Sequence, residues 1–263
     1  IRTSEQPRKP YQRHRRRFDS QGNRRNRKRN QTVAETWSGT GLFGALPVSP
    51  PIDHALVDMG YKTPTPIQSS VIPLIRQGRD VVGQARTGTG KTAAFGIPII
   101  ETIDLASPHP QSLILAPTRE LALQVSGEIS KIGHYRDVRC AAIYGGQPMR
   151  PQIEALDRGA HVIVTTPGRL MDHMRRQTLS LKHINVAVLD EADQMLDIGF
   201  IKDIEYILRR TPKNRQTLLF SATMPDSIRR LARRYLYHPQ WVGVEDGPKP
   251  VDEVDQVYYE IAA

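Results

Sequence analysis

Two short segments carry side chains whose types and spacing could do chemistry. The first is Ala85-Arg86-Thr87-Gly88-Thr89-Gly90-Lys91-Thr92, which follows the apolar run ending at Gly83. It is the Walker A pattern, with Ala85 where the strict pattern has glycine. Glycines in such a turn let backbone N–H groups face inward around phosphate oxygens. A helix starting there points the positive end of its dipole at the same anion. Lys91 would reach the β- and γ-phosphates, and the Thr92 hydroxyl would ligate Mg²⁺. The plainer alternative is a glycine-rich turn with a stray lysine. The second segment is Asp190-Glu191-Ala192-Asp193, delivered by the run Val186–Leu189. Three carboxylates at the end of a buried strand are costly unless they hold a cation or hydrogen bonds. Asp190 is assigned to Mg²⁺, and Glu191 to orienting and deprotonating an attacking water. The alternative here is acids at a helix N-terminus, where the dipole favours them.

The surrounding chain predicts how these segments are held. Short apolar runs rich in β-branched residues recur at Asp80–Gly83, Leu113–Ala116, Arg139–Tyr144, His161–Thr165, Val186–Leu189, Thr217–Phe220 and Trp241–Val244. Stretches with helical spacing lie between them, among them Thr92–Ile103, Arg119–Ile132, Arg169–Arg176, Ile201–Leu208 and Asp226–Tyr235. Strands alternating with helices imply an α/β fold, with a largely parallel sheet and helices on both faces. Ligands in such folds bind beyond the carboxyl ends of the strands. Three further segments follow strands directly: Pro117-Thr118-Arg119, Gly145-Gly146 and Thr166-Pro167-Gly168-Arg169. If their strands are parallel, all three emerge at the same end of the sheet. Helix N-termini and glycine amides there bind phosphates without reading bases, and Arg119 and Arg169 add charge. Ordinary turn chemistry is the competing explanation for each.

With Walker A followed by the literal quartet DEAD, the chain resembles the N-terminal RecA-like domain of DEAD-box ATP-dependent RNA helicases. The resemblance runs from about Leu42 to Gly247. Gly60-Tyr61-Lys62-Thr63-Pro64-Thr65-Pro66-Ile67-Gln68 is similar to the family's Q motif, and Phe43 stands 17 positions before Gly60, where the motif's isolated aromatic belongs. Pro117-Thr118-Arg119-Glu120-Leu121-Ala122 resembles motif Ia, Gly145-Gly146 the GG pair, Thr166–Arg169 motif Ib, and Ser221-Ala222-Thr223 motif III, all in family order. The resemblance implies a RecA-like P-loop NTPase domain that couples ATP hydrolysis to local unwinding of RNA. ATP and Mg²⁺ are then expected, with Phe43, Tyr61, Gln68 and Ala85–Thr92 on the nucleotide. Gln68 can pair with adenine N6 and N7, because a carboxamide both donates and accepts. Phe43 can stack on the base. Alternatively, Phe43 is a core aromatic and Gln68 begins a helix. Pro117, Thr118, Arg119, Gly145, Gly146 and Thr166–Arg169 are expected on a single RNA strand, where 2′-hydroxyl contacts tell RNA from DNA. Ser221 and Thr223 could hydrogen-bond the DEAD carboxylates, with Asp193 among them, and couple nucleotide state to unwinding.

Composition narrows the remaining classes. The net charge of the 263 residues is +10, and residues 1–30 hold twelve basic side chains against Glu5 and Asp19. The other 233 residues balance 25 basic with 25 acidic side chains. Residues 1–41 therefore read as a disordered basic tail and linker, since so few apolar side chains cannot offset chain entropy. Such an arm suits phosphate backbones, and a solubilising or targeting role competes. No apolar run reaches the ~18 residues of a membrane span, so no membrane partner is expected. One cysteine, Cys140, excludes an internal disulfide and points to the cytoplasm or another reducing intracellular compartment. No secretory leader opens the chain, and Ile1 in place of Met predicts a piece of a longer protein. By the resemblance, residues 42–247 form the first RecA-like domain, and 248–263 the linker and start of a second. That second domain is the expected partner, and without its arginines little turnover is expected of this chain. Two rivals are a nonenzymatic ATP-gated RNA clamp and a DNA translocase.

Overall fold

The structure is a computed structural model that describes residues 41–243. The basic tail and the C-terminal linker lie outside the described residues. A two-residue hairpin, β1 (Leu42–Phe43) with β2 (Leu46–Pro47), precedes α1 (Pro50–Asp58) and α2 (Pro66–Arg76). Strands and helices then alternate: β3 (Val81–Gln84), α3 (Lys91–Thr102), β4 (Ser112–Leu115), α4 (Arg119–Ile132), β5 (Cys140–Ile143), α5 (Met149–Asp157), β6 (Val162–Thr165) and α6 (Pro167–Arg175). There follow β7 (Val186–Leu189), α7 (Ala192–Asp197), α8 (Ile201–Arg210), β8 (Gln216–Ser221), α9 (Asp226–Tyr235) and β9 (Gln240–Val242).

All seven main strands pair in parallel, in the order β5-β6-β4-β7-β8-β3-β9. Strands buried on both faces read as continuous apolar runs, and SLIL, VIVT and VAVL are buried at every position. Alternate residues still feed different cores, because side chains along a strand point to opposite faces. Ile114, Val164, Val188 and Phe220 join one cluster with Phe95, Val125 and Ile129 of α3 and α4. Leu113, Leu115, Ile163, Leu189 and Leu219 join the other with Leu170, Ile204, Ile207 and Ile228 of α6, α8 and α9. Helices thus cover both faces of a parallel α/β sheet, as expected from the sequence.

Local chemistry sets the helix starts that matter. Thr118 caps α4, its Oγ1 accepting from the Leu121 N–H at 3.2 Å. Pro66 and Pro167 occupy the first turns of α2 and α6, where a missing N–H is harmless. The helical spacing noted above did not include α1, α2, α5 or α7, of 9, 11, 9 and 6 residues. Helices this short leave little periodicity to read and depend on tertiary packing. Of the run Trp241–Val244, Trp241 and Val242 fall in β9, and Val244 lies outside the described residues.

Candidate functional site

The strand order brings the Walker and DEAD segments together. β3 and β7 flank β8, so the loop after β3, the quartet after β7 and Ser221 at the end of β8 share one end of the sheet. Gly90, at φ +87°, turns the loop into α3, and Lys91 is the first residue of that helix. Lys91 Nζ lies 3.8 Å from Asp190 Oδ1 and 3.8 Å from Glu191 Oε1. Lys91 is 5% exposed and Asp190 2%. Neither Lys91 Nζ nor Asp190 Oδ1 has a hydrogen-bond partner among the described residues. Burial pushes the Asp190 carboxyl up to about 6, with Lys91 opposing and Glu191 adding to the rise.

Glu191 caps α7 in the left-handed region, at φ 52° and ψ 54°. That conformation disfavours side chains other than glycine, asparagine and aspartate and is concentrated at functional sites. Its Oε1 accepts from the Thr87 hydroxyl at 2.8 Å, a contact the sequence did not foretell. Thr89 Oγ1 closes the loop onto the Arg86 carbonyl at 2.8 Å, and Arg86 is exposed beside it. Thr92 is half-buried at the second position of α3. The Ala85 N–H donates to the Ser221 carbonyl at 3.0 Å, and Gln84 Nε2 to the Ala222 carbonyl at 3.2 Å, tying loop and motif III together.

The hydroxyls of motif III meet Asp193 alone among the quartet's carboxylates. Thr223 donates from its backbone N and its Oγ1 to Asp193 Oδ2, both at 2.8 Å. The Asp193 N–H donates to Ser221 Oγ at 3.2 Å. Burial works against the Asp193 carboxylate, yet these bonds outweigh it and hold the group below its ordinary range.

Gln68 is 2% exposed and stands at the third position of α2, where its Oε1 accepts from the Thr65 N–H at 2.9 Å. Its Nε2 donates to the Gly90 carbonyl at 3.0 Å. A carboxamide has two N–H groups and two acceptor lone pairs, so one of each remains. Gln68 lines a cleft of about 340 Å³ with Gly60, Tyr61, Thr65, Gly88 and Gly90. Phe43 does not line that cleft. It is 2% exposed, belongs to the core, and lies 6.5 Å from the Tyr61 ring at 21°. The Phe43 ring, expected to stack on a base, is thus buried in this structure and lies beside Tyr61. Tyr61 donates to Glu128 Oε1 at 3.0 Å, and burial followed by Glu128 pushes its phenol up to about 12.

The phosphate-binding candidates occupy the other half of the same sheet end. β5, β6 and β4 are neighbours and parallel, so Gly145-Gly146, Thr166–Arg169 and Pro117–Arg119 emerge side by side. Arg119 lies over the Tyr144 ring at 5.3 Å, and Gly146 adopts φ +75° beside it. Arg169 donates from Nη1 to the Gln147 carbonyl at 3.0 Å, linking two of the loops. Gly145, Gly146 and Gly168 are exposed, whereas Pro117 and Pro167 are buried. The two prolines shape their turns, and the accessible positions are Thr118, Arg119, the glycines, Thr166 and Arg169.

Among the described residues no cluster of three or more His, Cys, Asp or Glu side chains could hold a metal. Mg²⁺ requires no such cage. It takes one or two carboxylates and keeps waters, so Asp190, the Thr92 hydroxyl and a phosphate compose a fitting donor set. The orphaned Asp190 Oδ1 is what such a cation would satisfy.

Comparison with known proteins follows the same line. The DEAD/DEAH box helicase family profile matches residues 65–231. A DEAD-box ATP-dependent RNA helicase, CshA, of Geobacillus kaustophilus is 53% identical over 219 residues, covering 83% of this chain and 47% of that protein. Its counterpart in Bacillus licheniformis is 50% identical over 222 residues, covering 84% and 46%. The crystal structure of a DEAD box protein from Methanococcus jannaschii superposes with a TM-score of 0.73 at 46% identity, over 76% of this chain and 55% of that one. The chain spans about half the length of the curated relatives it matches. With the family's motifs in order on the family's fold, this chain belongs to the DEAD/DEAH box helicases.

Proposed function

We propose that this chain is the nucleotide-binding half of an ATP-dependent RNA helicase core. ATP enters the cleft at the ends of β3, β7 and β8, and a single RNA strand crosses the ends of β4, β5 and β6. The observation that carries the reading is the buried pair Lys91 and Asp190, 3.8 Å apart, each with an atom lacking a hydrogen-bond partner among the described residues. Buried charged groups left this way are costly unless a ligand supplies what they lack. A triphosphate offers oxygens to Lys91, and Mg²⁺ offers Asp190 a counter-charge. Asp190 and Thr92 would hold the metal, which supplies charge neutralisation on the transferred phosphoryl group.

The chain's own residues then divide the work. Backbone N–H groups of the loop from Ala85 to Gly90 surround the phosphates, and Lys91 neutralises them. Gln68 offers its remaining N–H to adenine N7 and its remaining lone pair to the N6 amine, a pattern guanine lacks. Glu191 takes the proton of the attacking water. The Thr87 hydroxyl, now on Glu191, turns to a phosphate when the loop fills, which frees the base at that moment. Asp193, held by Ser221 and Thr223, relays the state of the cleft to β8 and motif III.

The second RecA-like domain belongs to the proposal as well. It would supply arginines to the developing charge, a contribution of roughly 10³–10⁵ in rate, and the other half of the RNA site. The basic tail would add sequence-independent attraction to RNA, and a reducing intracellular compartment is the proposed location. The test measures ATP binding and ATP turnover by this chain, with and without single-stranded RNA. Binding with negligible turnover, and turnover restored by the second domain, is the expected result. ATP affinity unchanged in Lys91→Ala would overturn the assignment.

A further inference from the structure

The sheet ends at β9, on the edge away from the loops proposed for RNA. With strands ~4.8 Å apart, its six intervals place β9 about 29 Å from β5. A groove of about 610 Å³ lies there, between α9 and β9. Arg229, Arg233, Tyr237, His238 and Trp241 line it. Tyr237 is 80% exposed and Trp241 40%. The Arg229 guanidinium lies over the Trp241 ring at 6.0 Å, with its Nε held by the Met224 carbonyl at 3.1 Å. The Tyr237 ring packs edge-on against His238 at 4.5 Å. Among the described residues lining the groove there is no carboxylate. The neighbouring Arg234 is committed to Glu205 at 2.9 Å, whereas Arg233 makes no ion pair among the described residues.

We propose that this groove is an accessory binding site for single-stranded nucleic acid, with Tyr237 and Trp241 stacking bases and Arg229 and Arg233 meeting phosphates. Helix polarity alone accounts for arginines in the last turn of α9. It does not account for two exposed rings lining the same groove as Arg229 and Arg233, with no carboxylate among the lining residues. Every base has a π-face, so aromatic rings interleaved with arginines bind a strand without reading its sequence. An acidic peptide would use the arginines but gain little from the rings. The choice of RNA as the strand rests on the proposed function. The site itself goes beyond that reading, because it lies on the far edge of the sheet from the family's strand-binding loops.

The test uses the full chain and a dye-labelled single-stranded oligouridylate. The chain has two tryptophans, so Trp37→Phe leaves Trp241 as the sole tryptophan reporter. RNA should quench Trp241 emission. Tyr237→Ala removes an exposed side chain and should weaken affinity at least about fivefold, the lower end for one stacked base, with the salt slope unchanged. Arg233→Ala should reduce the slope of log affinity on log salt by about 0.7, the single-strand value per phosphate. ATP binding should stay at the wild-type level in both. RNA binding at wild-type strength in both variants, with silent Trp241, overturns the groove and leaves the RNA reading standing. No RNA binding by the unaltered chain overturns both. Quenching by polyglutamate but not by RNA would make the groove a peptide site and overturn the proposal.

Discussion

Substituting Gly90 by alanine separates backbone strain from a specific side-chain contact. Gly90 sits at φ +87°, and a Cβ added there would meet Gln68 Nε2 at 2.4 Å and Thr65 Oγ1 at 3.3 Å. An L-residue in the left-handed region costs about 1 kcal/mol. Relief of the clash requires the Gln68 carboxamide to move. That breaks its bonds to the Gly90 carbonyl and the Thr65 N–H, at 3.0 and 2.9 Å. Two such bonds contribute about 1 kcal/mol each, so the whole loss is about 3 kcal/mol. Gly88 is the internal control. It adopts φ +83°, but nothing lies within 4 Å of its added Cβ, so Gly88→Ala should cost only the conformational part, about 1 kcal/mol. Alanine restricts the unfolded chain equally at both positions, and that contribution cancels in the comparison. Equilibrium urea unfolding followed by circular dichroism reads both losses. In a Gln68→Ala background the excess at Gly90 should disappear, because the space it needs is open. Equal losses at Gly88 and Gly90, or an excess that persists without Gln68, would refute the reasoning.

The catalytic assignments predict a division between binding and chemistry in the protein carrying its second domain. Glu191→Gln should keep ATP affinity within about threefold and lower turnover by roughly 10²–10⁴, the usual share of a general base. A matching loss of affinity, read by fluorescent-nucleotide titration, would make Glu191 a structural cap. Thr223→Val removes one of the two 2.8 Å bonds to Asp193 and should uncouple unwinding from hydrolysis; equal losses in both assays count against a coupling role. His161 is fully buried, and burial, then Arg139, lowers its imidazole to about 4. The unfolded chain takes that proton first, so stability is intact above about pH 6.5 and falls as pH drops towards 4, by up to about 3 kcal/mol. His161→Gln should flatten part of that slope in urea titrations at several pH values, and an unchanged slope would assign it elsewhere. Deleting residues 1–30 should reduce the salt dependence of RNA binding, and an unchanged slope would remove the tail from that role.

What could be read from the residues alone was whatever depends on near neighbours in the chain. Glycines beside Lys91 and Thr92, a carboxylate run after an apolar strand, and Thr118 before a helix are local chemistry, and the structure places each where its type requires. Parallel strands were legible because burial on both faces removes polar alternation from VIVT and VAVL. The order of those strands was not legible. Neighbouring strands join through backbone groups common to every residue, so no side chain records that β8 lies between β3 and β7. Only that order brings Lys91 within 3.8 Å of Asp190 and Ser221 beside Asp193. Tertiary packing also placed residues whose roles the sequence left open. Phe43 is buried in the core beside Tyr61, and Gln68 serves the start of α2 while keeping one donor and one acceptor. The left-handed turn at Glu191, its bond to Thr87, and the exposure of Tyr237 and Trp241 arise from the same cause. Each is fixed by contacts between residues far apart in sequence, which only the assembled sheet brings together.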